Sequence, residues 1–138
     1  MFTGKKLEKY ETYVNDVLRA DLGTIRDELD RAITDLAEYE QLEKTIEIMK
    51  ECRVREDTFK LLSDIGCNFF MQANVEDFSS ILLNVGYGYH LSFTLDEALL
   101  FISSKKKYLD VRISALRNNS AKIKAHIKLM LLYMNQLT

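Results

Sequence analysis

From Leu95 to the C-terminus, apolar residues recur in alternating steps of four and three. The series runs Leu95, Leu99, Ile102, Lys106, Leu109, Ile113, Leu116, Ser120, Ile123, Ile127, Met130, Met134 and Leu137, and only Lys106 and Ser120 in it are polar. A repeat of 3.5 residues held over this length is the seam of a coiled coil rather than the broader face of a globular helix. Thr94 followed by Glu97 forms a capping box, and Asp96 places a negative charge in the first turn. These signals predict a helix over 94–138, roughly 65 Å long at 1.5 Å per residue.

A second helical stretch is predicted over 6–62. Leu22, Ile25, Leu29, Ala32, Leu36 and Tyr39 keep the heptad step, whereas Tyr10, Val14, Leu18 and Leu22 advance by fours. Such a stutter locally unwinds a supercoil. After Tyr39 the stripe resets to Leu42, Ile46 and Met49. Arg53, Arg55, Glu56 and Asp57 then dilute it before Phe59, Leu61 and Leu62 resume.

Between the helices, residues 63–93 change period. Ile81, Leu83, Val85, Tyr87, Tyr89, Leu91 and Phe93 alternate with other residues, as in a strand with one buried face. Gly86-Tyr87-Gly88 lets this run turn or bulge. A second strand-like run follows Gly66 through Phe69 and Phe70, and Glu76-Asp77-Phe78-Ser79 supplies a turn. The expected fold class is mainly α with a small β insert. Two long helices form an antiparallel coiled coil, joined by two short β-hairpins, within a single subunit spanning 1–138. Small hairpins are marginal alone and their open edges invite pairing, so the insert is expected to be an assembly surface. Its residues would be Phe69, Phe70, Ile81, Leu83, Val85, Tyr87, Tyr89, Leu91 and Phe93.

Composition narrows the picture. The chain has 138 residues with no proline and five glycines, in keeping with long helices. Gly4, Gly66, Gly86 and Gly88 fall where helices should stop or bend, whereas Gly23 is an unexplained helix-interior cost. Net charge is −2, but residues 8–60 carry 15 acidic and 9 basic side chains, and residues 95–138 carry 3 and 8. Opposite signs favour antiparallel pairing of the helices over two independently solvated faces, although exposed pairs contribute under about 1 kcal/mol each. With 29% charged residues and no long apolar run, no membrane partner is expected. The opening Met-Phe-Thr-Gly-Lys-Lys lacks the apolar stretch of a secretory signal.

Catalytic chemistry finds little support. Cys52 and Cys67 do not form a CxxC site and only two histidines accompany them, so neither a metal nor a cofactor is expected. Cys67 is read as a buried, inert thiol in preference to a nucleophile, and His90 and His126 as surface residues. Lys105-Lys106-Lys107 with Arg112, Arg117, Lys122, Lys124 and Lys128 is the only basic patch. A solvated face opposite the acidic helix is favoured over a phosphate-binding stripe, so nucleic acid is not an expected partner. Lys106, on the seam, could act as a register specifier.

The order of long helix, Gly66-Cys67-Asn68-Phe69-Phe70, Val85-Gly86-Tyr87-Gly88-Tyr89, Leu91 to Leu99 and a second long helix resembles the α-class prefoldin subunits. Asp64 to Phe70, Gly86-Tyr87-Gly88 and Ile123-Lys124-Ala125-His126-Ile127 resemble a prefoldin-like branch of that family more closely. The likeness covers about residues 7–135. It implies a hairpin-built β platform from which coiled coils project. Such hexamers hold non-native clients, such as actin and tubulin, between the helix tips and pass them to the cytosolic chaperonin without ATP.

The implied partners are other prefoldin or prefoldin-like subunits of both α and β class, with client proteins or an R2TP-type co-chaperone. The prefoldin-like branch also implies cytoplasmic and nuclear residence and a transcription-cofactor role. The expected function is thus a non-catalytic co-chaperone subunit that assembles through its hairpins. The alternative is a coiled-coil adaptor or scaffold in transcription that binds one defined protein without holding clients. Candidate client or partner contacts at the open helix ends are Leu7, Tyr10, Tyr13, Val14, Leu131 and Tyr133. For the neighbouring Ile127, Met130 and Met134, closure of the coiled coil is the preferred reading.

Overall fold

A computed structural model describes residues 2–137. In chain order the elements are α1 (Phe2–Tyr13), a π-helical stretch (Val14–Leu18), α2 (Arg19–Val54), β1 (Phe59–Gly66), β2 (Phe69–Val75), β3 (Ser80–Gly86), β4 (Tyr89–Thr94) and α3 (Leu95–Leu137). The mainly α class with two antiparallel hairpins matches expectation. Gly4 lies inside α1, which starts earlier than predicted. The chain forms two compact units, one built from the residues up to Leu36 together with Tyr108 onward, the other from Ala37–Lys107.

In the first unit the two helical stretches run antiparallel. Tyr10 meets Tyr133 edge-on with ring centroids 5.4 Å apart, and Glu28 approaches Arg112 at 3.9 Å, so the register descends on one helix as it ascends on the other. Val14, Leu18, Ala32, Leu109, Ile113 and Leu116 are buried, all of them predicted seam positions. The stutter has a physical counterpart. Where the stripe steps by fours at Val14 and Leu18, the backbone is π-helical. A π turn holds more residues than an α turn, so it keeps both side chains on the seam while absorbing the extra residue.

The second unit is organised by a core of Ile46, Phe59, Phe78, Leu83, Leu95, Ala98 and Ile102. Here too the helices are antiparallel, with Glu43 accepting a 2.6 Å hydrogen bond from Lys106 and Lys50 paired to Asp96. The Lys106–Glu43 bond gives the polar seam residue a partner on the facing helix and helps fix the register. The Thr94–Glu97 box forms as predicted. The Glu97 amide donates to Thr94 Oγ1 at 3.3 Å, and the Thr94 amide donates to Glu97 Oε2 at 3.1 Å.

The end of α2 corrects the prediction. The helix stops at Val54, and Phe59 to Gly66 is a strand, not a helical continuation. The stop is a Schellman motif: the Glu56 amide donates to the Arg53 carbonyl at 3.2 Å and the Asp57 amide to Cys52 at 2.9 Å. Glu56 holds the left-handed position, with φ +58°. Glycine ordinarily marks that position, so the boundary carried none of the usual punctuation.

Candidate assembly interface

Both hairpins are built by the same local chemistry. In the first, the carboxylate of Asp64 accepts from the Gly66 amide at 2.8 Å; in the second, the side chain of Asn84 accepts from Gly86 at 3.0 Å. Each strand bulges at that point, and a tight two-residue turn follows. Its central residues, Cys67-Asn68 and Tyr87-Gly88, all have positive φ, as turns matched to strand twist require. Gly86 and Gly88, at φ +104° and +78°, occupy conformations that glycine adopts without strain. The Gly-Tyr-Gly segment therefore both bulges and turns. The expected Glu76–Ser79 turn links the two hairpins, with Asp77 accepting from the Ser79 amide at 3.1 Å. That hydrogen bond holds the Asp77 carboxyl below its ordinary range.

The pleat sorts the predicted interface residues into two groups. Toward the helix roots, Phe59 pairs with Val75, Leu61 with Ala73, and Ile81 with Phe93. These residues face the core, where Leu83 is itself buried, Val85 is half-buried and Phe93 stacks on Phe101 at 5.4 Å. Beside the turns Phe69, Met71 and Tyr89 are exposed, Phe70 lies on the opposite face where it pairs with Asp64, and Leu91 is exposed although it faces the buried Leu83 across the second hairpin. Tyr87, at the turn, is completely exposed, at 102%. Each sheet has two strands, so every strand has an unpaired edge. Ile81, Leu83, Val85 and Phe93 are thus buried or half-buried within the chain, whereas Phe69, Phe70, Tyr87, Tyr89 and Leu91 are exposed.

Sequence reading missed Leu62, Ile65 and Leu82, which are also exposed, two of them at positions that alternate with the core-facing ones. It also missed Phe78, a turn residue by composition yet buried against Phe59. Cys67 corrects the expected buried thiol: it is exposed because it lies in the turn. His90 and His126 are exposed, as expected of surface residues. Among the described residues, no three histidine, cysteine or acidic side chains converge on a metal-binding position, and no helix is long and apolar enough to cross a membrane.

At the helix ends, Tyr13, Leu131 and Tyr133 are exposed and Leu7 and Tyr10 are half-buried. Val14 is 2% exposed and belongs to the seam, so it is not an open contact.

A family model, Prefoldin subunit, matches residues 18–138. The chain belongs to the prefoldin family. It is 41% identical over 129 residues to Protein UXT of Homo sapiens, covering 94% of this chain and 81% of that protein. Protein UXT homolog of Nematostella vectensis is 39% identical over 127 residues, covering 92% and 80%. Prefoldin subunit alpha of Pyrococcus horikoshii is 27% identical over 123 residues, covering 89% and 81%. The prefoldin fold is also that of the filamentous protein from Methanocaldococcus jannaschii, with a TM-score of 0.69 at 20% identity over 88% of this chain and 98% of that one. The two hairpins are thus the β elements of a prefoldin subunit, and the resemblance to UXT proteins extends along most of the chain.

Proposed function

We propose that this chain is a non-catalytic, prefoldin-like co-chaperone subunit that assembles through its hairpins into a hetero-oligomer. The carrying observation is the set of exposed apolar side chains on the two hairpins, Phe69, Phe70, Tyr87, Tyr89 and Leu91, beside unpaired strand edges. Monomeric proteins rarely leave so much apolar surface uncovered, and an edge strand is completed by another chain at little cost. Tyr87 adds a further reason. It holds a left-handed backbone that costs a non-glycine residue about 1–2 kcal/mol, yet its ring contacts solvent alone. A partner that covers the ring would turn that cost to use.

We extend the proposal to partners of the α and β prefoldin classes, to an R2TP-type co-chaperone, to client holding without ATP, and to a cytoplasmic and nuclear setting with a transcription-cofactor role. Support for these comes from the likeness to UXT and prefoldin proteins. Tyr87→Asp or Leu91→Asp should release the chain from co-expressed prefoldin-like subunits in pull-downs while leaving its helical circular dichroism intact. Undiminished recovery would sink the assembly reading. Client aggregation measured with the assembled complex tests holding separately: equal precipitation with and without it would leave only an adaptor role.

A further inference from the structure

The helix-interior Gly23 has no task inside the fold. A Cβ built on it would meet nothing within 4 Å, so no neighbouring element needs its small size. What it borders instead is a groove of about 390 Å³, lined by Arg19, Leu22, Gly23 and Arg26 of α2 and by Lys124 and Ile127 of α3. The floor is apolar, made by the half-buried seam residues Leu22 and Ile127. The rim is cationic on both sides. Sequence reading placed Lys124 opposite acidic residues, but here it faces two arginines and no carboxylate lines the groove. None of the three cations forms an ion pair among the described residues. Three like charges around one depression repel one another, and a glycine costs an α-helix about 1 kcal/mol relative to alanine. Both costs are offset when an anionic ligand with an apolar side chain occupies the groove.

We propose that this groove docks an acidic, amphipathic helical segment of a partner protein. Its aliphatic side chain would rest on Leu22 and Ile127 over Gly23, and its carboxylates would pair with Arg19, Arg26 and Lys124. The charge of the rim matches that occupant, and the notch at Gly23 lets its helix approach closely, as in other helix-in-groove complexes. A nucleic acid fits less well. The apolar floor offers phosphates nothing, and the chain as a whole is acidic.

The test uses the full chain and a fluorescent, end-capped peptide of about a dozen residues carrying two leucines one helical turn apart among glutamates. Anisotropy should report saturable binding that weakens with salt. Arg26→Glu and Lys124→Glu should each lower affinity tenfold or more, and a lysine-for-glutamate peptide should not bind. Gly23→Leu should separate the groove from the fold, raising the melting temperature while reducing affinity tenfold or more. Absence of binding, or affinity unchanged in Gly23→Leu, would overturn the proposal. Displacement of the peptide by a thymidine oligonucleotide that binds more tightly would assign the groove to nucleic acid instead.

Discussion

Replacing Phe78 with alanine should loosen both hairpins. Phe78 lies between β2 and β3, is only 7% exposed, and packs on Phe59 with ring centroids 6.0 Å apart. Through that contact it joins the start of the first hairpin to the start of the second. A phenylalanine buries about 200 Å², so at about 25 cal/mol per Å² its ring is worth up to ~5 kcal/mol. The compact unfolded chain and the area alanine still covers reduce this to about 3 kcal/mol. A retained cavity adds to the loss, which places the expected cost at about 3–4 kcal/mol, within the range for Phe→Ala in cores. Hydrogen exchange followed by mass spectrometry on the full chain gives the readout. At about 1.4 kcal/mol per factor of ten, amides of β1 to β4 should exchange on the order of 100-fold faster. Phe78→Leu, which keeps most of the volume, should cost under about 1.5 kcal/mol. Exchange that accelerates less than about threefold in Phe78→Ala, or equally in both variants, would show that burial of this ring does not pin the hairpins.

Glu56→Gly should stabilise the chain by about 1 kcal/mol, because the left-handed Schellman position no longer carries a Cβ; a lower urea midpoint would contradict this. A double-mutant cycle of Lys106→Ala and Glu43→Ala should give a coupling of about 1 kcal/mol, since the pair is only partly shielded from solvent. Additivity within error would deny the bond any part in register. Acidification should weaken the second unit through Asp77 and Asp96. A hydrogen bond from Ser79 lowers the first and one from Lys50 lowers the second, each from an ordinary 3.8. Depressed carboxylates stabilise the folded state at pH values above 3.8, and that contribution disappears as the pH falls through their folded values. Thermal melts across pH 6 to 2 should show less loss below pH 4 in Asp96→Asn than in the parent chain.

Much of the architecture is legible in the periodicity. All thirteen predicted seam positions of α3 are buried or half-buried, and so are the heptad positions from Leu22 to Tyr39. A helix must bury its apolar stripe, and a 3.5 spacing leaves one face for doing so. The step of fours predicts local unwinding, which the π-helical stretch supplies, and the capping box marks the start of α3. Gly66 and Gly86 mark the hairpins because their backbone needs positive φ.

Other features depend on neighbours that a linear pattern does not contain. Glu56 ends α2 through carbonyls made available by the preceding turn, with no residue type to announce it. Phe78 reads as part of a polar turn until the facing Phe59 provides a surface to cover it. The alternating run from Ile81 to Phe93 is the clearest case. Its period assigns all seven apolar residues to a single face, but Leu83 is buried while Leu91, directly opposite it on β4, is exposed, as are Tyr87 and Tyr89 at the turn. Alternation determines the face on which a side chain lies. Only the tertiary packing decides which parts of that face are covered, because burial requires atoms from a second element within reach.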